Sequence, residues 1–350
     1  MFFKSIKFSP VKLFSFKMLH KNSSAEETLI CSILFSNSSY DVRDLQNINY
    51  EKLVYVLSSH LITVSFYIKL KKKEYLNFFE KDFIDYLKKI YESNNTQNKK
   101  LLSEVLEISN FLNENKINYV FIKGASHILS DIYSELSERM VSDIDVLVDK
   151  NHVNKIVSTF KSNGYNYNDS ITFKSHRHLT PLVKKNKIFP VEIHTRPLNI
   201  LNFKYLTVKQ MITNKLIKKN SFVPSYENQF YLNIYNFLIN DFGYHTLSYN
   251  YKNIYDTFLI NKKMKSKIVG NRFIIFYAKL YSILTKETIS NKEIKKSFSL
   301  KFYLVSKFKI LFYLNLFFFK INNTFRNRTR QIFEILNNKK YRIFLFKKLK

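Results

Sequence analysis

Apolar residues along this chain follow two periods, and the change of period marks a change of architecture. From about Ala25 to Ile90 they recur at helical spacing, through Leu29, Ile33 and Leu34 and again through Leu53, Val56 and Leu57, which predicts several helices. Leu102, Val105, Leu106, Ser109 and Leu112 lie on one side of Leu101–Asn115, so that stretch reads as an amphipathic helix. The polar run before it, Ser93 to Lys100, reads as a loop or as the start of that helix.

The period then shortens. Tyr119–Ile122 is a β-rich run, followed by Gly124 and a helix-compatible stretch from Ala125 to Leu136. Ser142–Asp149 reads as a second strand. Asn151–Asn163 predicts a helix capped by Asn151 and ended by Gly164 in the C′ position. Two more strands, around His178–Lys184 and Lys187–His194, flank a tight turn near Asn186. Strand, helix, strand, helix and hairpin make a small α/β or α+β sheet. Helical spacing returns after Asn202: one helix starts at Pro224 and Glu227 and runs through Phe230, Ile234, Phe237 and Leu238, and another runs through Ile254, Tyr255, Phe258 and Leu259. No repeat of fixed period is present. The expected division is an N-terminal helical region (1–99), a sheet core (100–205) and a C-terminal helical region with a basic tail (206–350).

Composition narrows the class. A hydrophobic share of 45% over 350 residues supports a sizeable packed core. With only four Gly and five Pro, long uninterrupted helices are expected outside the sheet. The single cysteine, Cys31, excludes an internal disulfide and a cysteine zinc cage, so a reducing, cytoplasmic setting is expected. The start, MFFKSIKFSPVKLFSFKMLH, lacks the continuous apolar core of a secretion signal. Leu53–Ile68 is uncharged but short of a full membrane crossing, so a buried helix explains it better. The formal charge is +30. Lys, Asn, Ile, Phe and Tyr are abundant together and share codons rich in A and T, so compositional drift accounts for that charge better than selection for a polyanion. Residues Lys301–Lys350 hold thirteen Lys or Arg and one acid, Glu334. A weak polyanion or membrane-surface contact through this tail is the associated expectation.

The candidate chemistry lies between Tyr119 and Arg196. Side chains on a strand alternate, so Asp143 and Asp145 share one face. Glu192, in Val191-Glu192-Ile193-His194, is a third acid on strand-like alternation and shares its face with His194. Three carboxylates suit Mg²⁺ or Mn²⁺, which organises a nucleoside triphosphate while an acceptor is deprotonated. Taken alone, a D-x-D pair is more readily a solvated strand end, or a helix cap reading into Asn151; the Lys-Gly turn upstream, the strand acid downstream and the apolar neighbours of both acids favour the metal. Lys123 and Gly124 sit at a strand-to-helix turn that is either an ordinary β-α turn or one where the backbone approaches phosphate oxygens and Lys123 pairs with their charge, and Ser126 supplies a first-turn hydroxyl or merely a cap. Arg139 either clamps a triphosphate oxygen or pairs with Asp143 or Glu138 to hold its loop. His176, Arg177 and His178 form a basic cluster that with His194 does not match a usual zinc set; each of these histidines reads first as a packed or surface residue, and the functional reading of His194 is support of a metal-bound carboxylate. His60 and His245 are read as structural.

In order, IKGASHILSDIY, ER, SDIDVLVD, NGY, HRHL and VEIHTRPLN resemble the uncharacterised nucleotidyltransferase family of the polymerase-beta-like superfamily. The matching positions are Lys123 and Gly124, Tyr133, Arg139, Asp143 and Asp145, Gly164 and Tyr165, and Glu192 and His194. The resemblance covers roughly residues 25–260, with Asp256 in its C-terminal helical part, and its specific motifs lie between 119 and 198. It implies an α+β fold, a small mixed-sheet nucleotidyltransferase core flanked by helical regions, with the three acids on metal and nucleotide near Gly124. Two departures touch the triphosphate geometry. Gly124-Ala125 replaces the usual Gly-Ser or Gly-Gly pair, and the gap to Asp143 is longer than in many relatives. The expected activity is transfer of a nucleoside monophosphate, as from ATP, to an acceptor that is a small molecule, sugar, peptide or RNA. The alternatives are a non-catalytic nucleotide-binding protein of the same fold and a basic membrane- or RNA-associated module.

Overall fold

The computed structural model describes residues 24–36, 42–168, 177–199, 202–264, 268–287, 289, 303–304, 309–337 and 342. The expectations for the first twenty-three residues, for His176 and for much of the basic tail fall outside the described residues.

Four helices come first: α1 (Ala25–Phe35), α2 (Tyr50–Ser59), α3 (Thr63–Lys72) and the 34-residue α4 (Lys81–Glu114). The single buried helix expected over Leu53–Ile68 is two helices, because Leu61 takes a left-handed backbone (φ +53°) and turns the chain by 116°. Leu53, Leu57, Val64, Phe66 and Ile68 are all fully buried, so the apolarity of this stretch belongs to the core. The polar run Ser93–Lys100 lies inside α4. Asn94 and Asn98 recur on the same face as Leu87 and Leu101, one to two turns away, and all four are buried.

The core follows: β1 (Tyr119–Ile122), α5 (Lys123–Leu129), β2 (Ile144–Val148), α6 (Val153–Ser162), β3 (Asn166–Tyr167), β4 (Leu182–Val183) and β5 (Val191–His194). Helix α5 ends well short of Leu136, and Asp149 rather than Asn151 caps the turn that leads into α6. Gly164 takes φ +83° after α6, as expected for a C′ glycine. Strand order is β1-β2-β5-β4-β3, with β1–β2 antiparallel, β2–β5 parallel and the rest antiparallel. The turn between β4 and β5 places Asn186 at φ +68°.

Strand alternation sorts this sheet into two faces. Tyr119 and Phe121 of β1, Ile144, Val146 and Val148 of β2, and Val191 and Ile193 of β5 pack with Phe111 of α4 and Phe160 of α6. Val120, Ile122 and Leu147 point the other way, into the helical core. Asp145, Glu192 and His194 occupy the alternate positions on that second face. Each fully buried Phe or Leu in these layers contributes roughly 1.5–3 kcal/mol.

After the sheet come α7 (Val208–Thr213), β6 (Lys215–Lys218), β7 (Ser221–Pro224), α8 (Tyr226–Tyr235), α9 (Gly243–Thr246), α10 (Tyr251–Lys263), α11 (Arg272–Thr285) and α12 (Lys309–Asn337). The β6–β7 hairpin interrupts a region read as helical. Its two-residue turn, Lys219-Asn220, takes φ +50° and +58°, a primed-turn geometry reached here without glycine. A π-helical segment, Asn236–Asn240, continues α8. The helical regions before and after the sheet share one core: Leu29, Leu53, Phe66, Phe230, Tyr255 and Tyr277 belong to a single cluster. Tyr249 Oη donates to Glu27 across it at 2.6 Å. The chain is therefore α+β, a mixed five-stranded sheet with helical flanks.

Candidate functional site

Asp145 and Glu192 are partners in register on the parallel strands β2 and β5, so their side chains leave the sheet on the same side. Asp145 is 1% exposed. Its Oδ1 accepts from Lys123 Nζ at 2.5 Å and lies 2.7 Å from His194 Nε2. A carboxylate only accepts, so Nε2 carries the histidine proton. His194 Nε2 is also 3.4 Å from Glu192 Oε2, and His178 Nε2 reaches that same oxygen at 3.6 Å. Asp145, Glu192 and His194 each place a ligand-capable atom within 4.8 Å of the others. Asp143 precedes β2 by one residue and lines the same cleft as Asp145.

The electrostatics differ among the three acids. Burial pushes the Asp145 carboxyl up, but Lys123 and His194 outweigh it and hold it well below the ordinary carboxylate range. Glu192 likewise feels burial first, and the hydrogen bond from His194 brings it net below its usual value. Asp143 is raised, by burial and then by the neighbouring charge of Asp145. His178 is lowered by burial.

Lys123 sits in left-handed backbone (φ +56°) at the β1–α5 junction. For a non-glycine residue that geometry costs roughly 1–2 kcal/mol, and here it accompanies the aim of the ammonium at Asp145. Gly124 follows, and a Cβ there would meet both γ-carbons of Val141 at 2.9 Å. The glycine thus lets the loop ahead of Asp143 close against α5. Ser126 is fully buried, its Oγ has no hydrogen-bond partner among the described residues, and it does not line the cleft. The first-turn hydroxyl expected there faces the protein interior.

Arg139 pairs with neither Asp143 nor Glu138. Its guanidinium meets Asp256 of α10 at 3.0 Å and donates to the Met140 carbonyl at 2.8 Å. Tyr133 Oη donates to the other Asp256 oxygen at 2.6 Å, and His127 Nδ1 lies 3.7 Å from Asp256. Glu138 is held instead by Ser134 and by the Tyr255 hydroxyl. Asn94 and Asn98 of α4 donate to the Arg139 carbonyl at 3.2 and 2.7 Å, and to those of Ser137 and Leu136. The polar run, expected as a loop or as the start of a helix, lies inside α4 and is the clamp that sets the Arg139 segment.

A cleft of about 530 Å³ opens beside these groups, lined by Lys123, Gly124, Arg139, Asp143 and Asp145 together with Asp241, Lys252 and Asp256. Glu192 stands outside the cleft wall, on the far flank of Asp145 from Lys123. Lys252 is pushed down to about 8, by the charge of Arg139 and then by burial. Asp241, in the turn after the π segment, is raised by burial. Sequence reasoning missed Lys252, Asp241 and the contact of His178 with Glu192. The last of these rests on an antiparallel bridge between His178 and His194, for which the hairpin pattern was the only available signal. His60 is structural, as read: its Nδ1 accepts from the Tyr251 backbone at 3.3 Å and its ring stacks on Tyr249.

The family model described as uncharacterised nucleotidyltransferase matches residues 46–272, which span the cleft and all the residues around it. Comparison with curated proteins and with solved structures returned no significant match.

Proposed function

The chain belongs to the uncharacterised nucleotidyltransferase family, and from that premise we propose that it moves a nucleoside monophosphate from a nucleoside triphosphate such as ATP to an acceptor hydroxyl or other nucleophile. The observation that carries this reading is the convergence of Asp145 and Glu192 from adjacent parallel strands, beside Asp143 and a cleft that also holds Lys123, Arg139 and Lys252. Hard carboxylate oxygens from two strands fit Mg²⁺ or Mn²⁺. Asp143, Asp145 and Glu192 would hold the ion, with His194 fixing the carboxylates from behind. When bound, such an ion neutralises charge on the triphosphate oxygens.

The chain's own groups do the rest. Lys123, paired with Asp145 in this state, is placed to transfer its charge to an incoming triphosphate. Gly124 and Arg139 line the same wall. Ser126 is left out of the phosphate contacts because it is buried away from the cleft. The acceptor oxygen bonds to the α-phosphorus in line with the departing group. The bond from that phosphorus to the oxygen bridging to the β-phosphate breaks, pyrophosphate leaves with the electron pair, and the acceptor proton passes to Glu192.

The test is calorimetric titration with Mg²⁺ and ATP or CTP, followed by pyrophosphate release with sugars, peptides, small molecules and RNA as acceptors. Metal-dependent nucleotide binding is expected, and it should vanish in the Asp143→Ala/Asp145→Ala double variant. Unchanged metal binding in that variant overturns the proposal. Binding without pyrophosphate release on any acceptor favours the non-catalytic reading, against which the retention of all three carboxylates speaks.

A further inference from the structure

Helix α12 buries Leu316 in the helical core and turns a second apolar stripe away from the protein. Ile310, Leu314, Phe317, Ile321, Phe325 and Ile332 are all exposed, Phe317 to 57% and Phe325 to 69%. At about 100° per residue, these six positions fall within roughly 80° of one another around the helix. The opposite side touches the body. Phe319 stacks on His245 with 5.8 Å between ring centroids and packs on Phe242, and Asn315 Nδ2 donates to the His245 carbonyl. A surface helix of a soluble domain ordinarily buries its apolar stripe against the core; α12 presents its stripe to solvent. A continuous outward stripe of this kind marks a contact site, unlike scattered exposed side chains.

Charge identifies the occupant. Residues 301–350 carry thirteen Lys or Arg against the single acid Glu334, and Arg328 falls at the same angular position as the stripe. Among the described residues no single helix is long and apolar enough to cross a membrane. We propose that α12 lies in the plane of an anionic lipid surface, with its Phe and Ile side chains at the acyl boundary and its cations against headgroup phosphates. A second copy of the chain is disfavoured, because pairing two such helices brings like charges together. RNA is disfavoured because those six apolar side chains and a single cation, Arg328, occupy the outward sector of α12, where phosphate contacts require several cations.

The experiment is flotation of the full-length protein with vesicles of phosphatidylcholine alone and of phosphatidylcholine mixed with phosphatidylglycerol. The protein should float with the anionic vesicles, not with the neutral ones, and less at high salt. The Phe317→Ser/Phe325→Ser variant keeps the charge and removes two rings from the stripe, so its partitioning should fall at least about tenfold. Its thermal midpoint should match the parent's because both rings face solvent; if it does not fold, Ile321→Asn carries the same expectation. Equal flotation of parent and variant, or no flotation with either vesicle, overturns the proposal. So does loss of self-association or of RNA binding in the variant without vesicle binding in the parent.

Discussion

Arg139 and Asp256 meet in an ion pair of 3.0 Å that joins the loop before β2 to helix α10. Asp256 is 1% exposed, and burial of the pair is offset by Tyr133 Oη and by the carbonyl contact of Arg139. Removing one partner strands a buried charge, so Arg139→Leu is expected to cost about 3–5 kcal/mol. The double variant Arg139→Leu/Asp256→Leu should cost less than the single one. Chemical denaturation of the parent, Arg139→Leu and the double variant checks this, and a double variant less stable than Arg139→Leu would contradict it.

His194 touches both Asp145 and Glu192, and its removal leaves those carboxylates without their common donor. For His194→Phe, metal affinity should drop by about 10–100-fold while the fold persists. Calorimetric titration of Mn²⁺, with circular dichroism as the fold control, measures it. Unaltered affinity would remove His194 from the site.

Burial lowers His60 to about 4. The unfolded chain binds this proton near 6.5 and the folded chain does not until near 4, so stability rises with pH across that interval. Acidification from pH 6.5 to 4 should therefore remove about 3 kcal/mol through His60 alone. His127, also lowered to about 4 by burial, acts in the same direction. Urea midpoints taken across this range should slope less steeply in His60→Phe; parallel slopes would assign the effect elsewhere.

Gly124 is close-packed against Val141, whose branched side chain cannot rotate away from a new methyl group. Gly124→Ala should cost about 1–3 kcal/mol and displace Lys123 from Asp145. Adding Val141→Ala should recover most of the loss. A thermal-melt double-mutant cycle showing no coupling would place the strain elsewhere.

The α+β class, β1, β2, β5 and the Gly164 stop were legible because local periods and turn chemistry encode them. The face shared by Glu192 and His194, and the common side of Asp143 and Asp145, also follow from their i, i+2 spacing, although β2 itself begins only at Ile144. Sequence could not say that these two faces coincide. That depends on the parallel register Asp145↔Glu192, a pairing between segments with a helix and two further strands between them. The same limit hid the partner of Arg139 and the role of Asn94 and Asn98. A polar residue in a helix looks solvated until the carbonyls it serves are brought to it. The β6–β7 hairpin escaped notice because its turn uses Lys219 and Asn220 where glycine would have signalled positive φ. Composition and period thus determined which elements form and which side chains leave them together. Tertiary packing alone decided which faces meet, because contact between distant segments depends on register and on the shared core rather than on any local pattern.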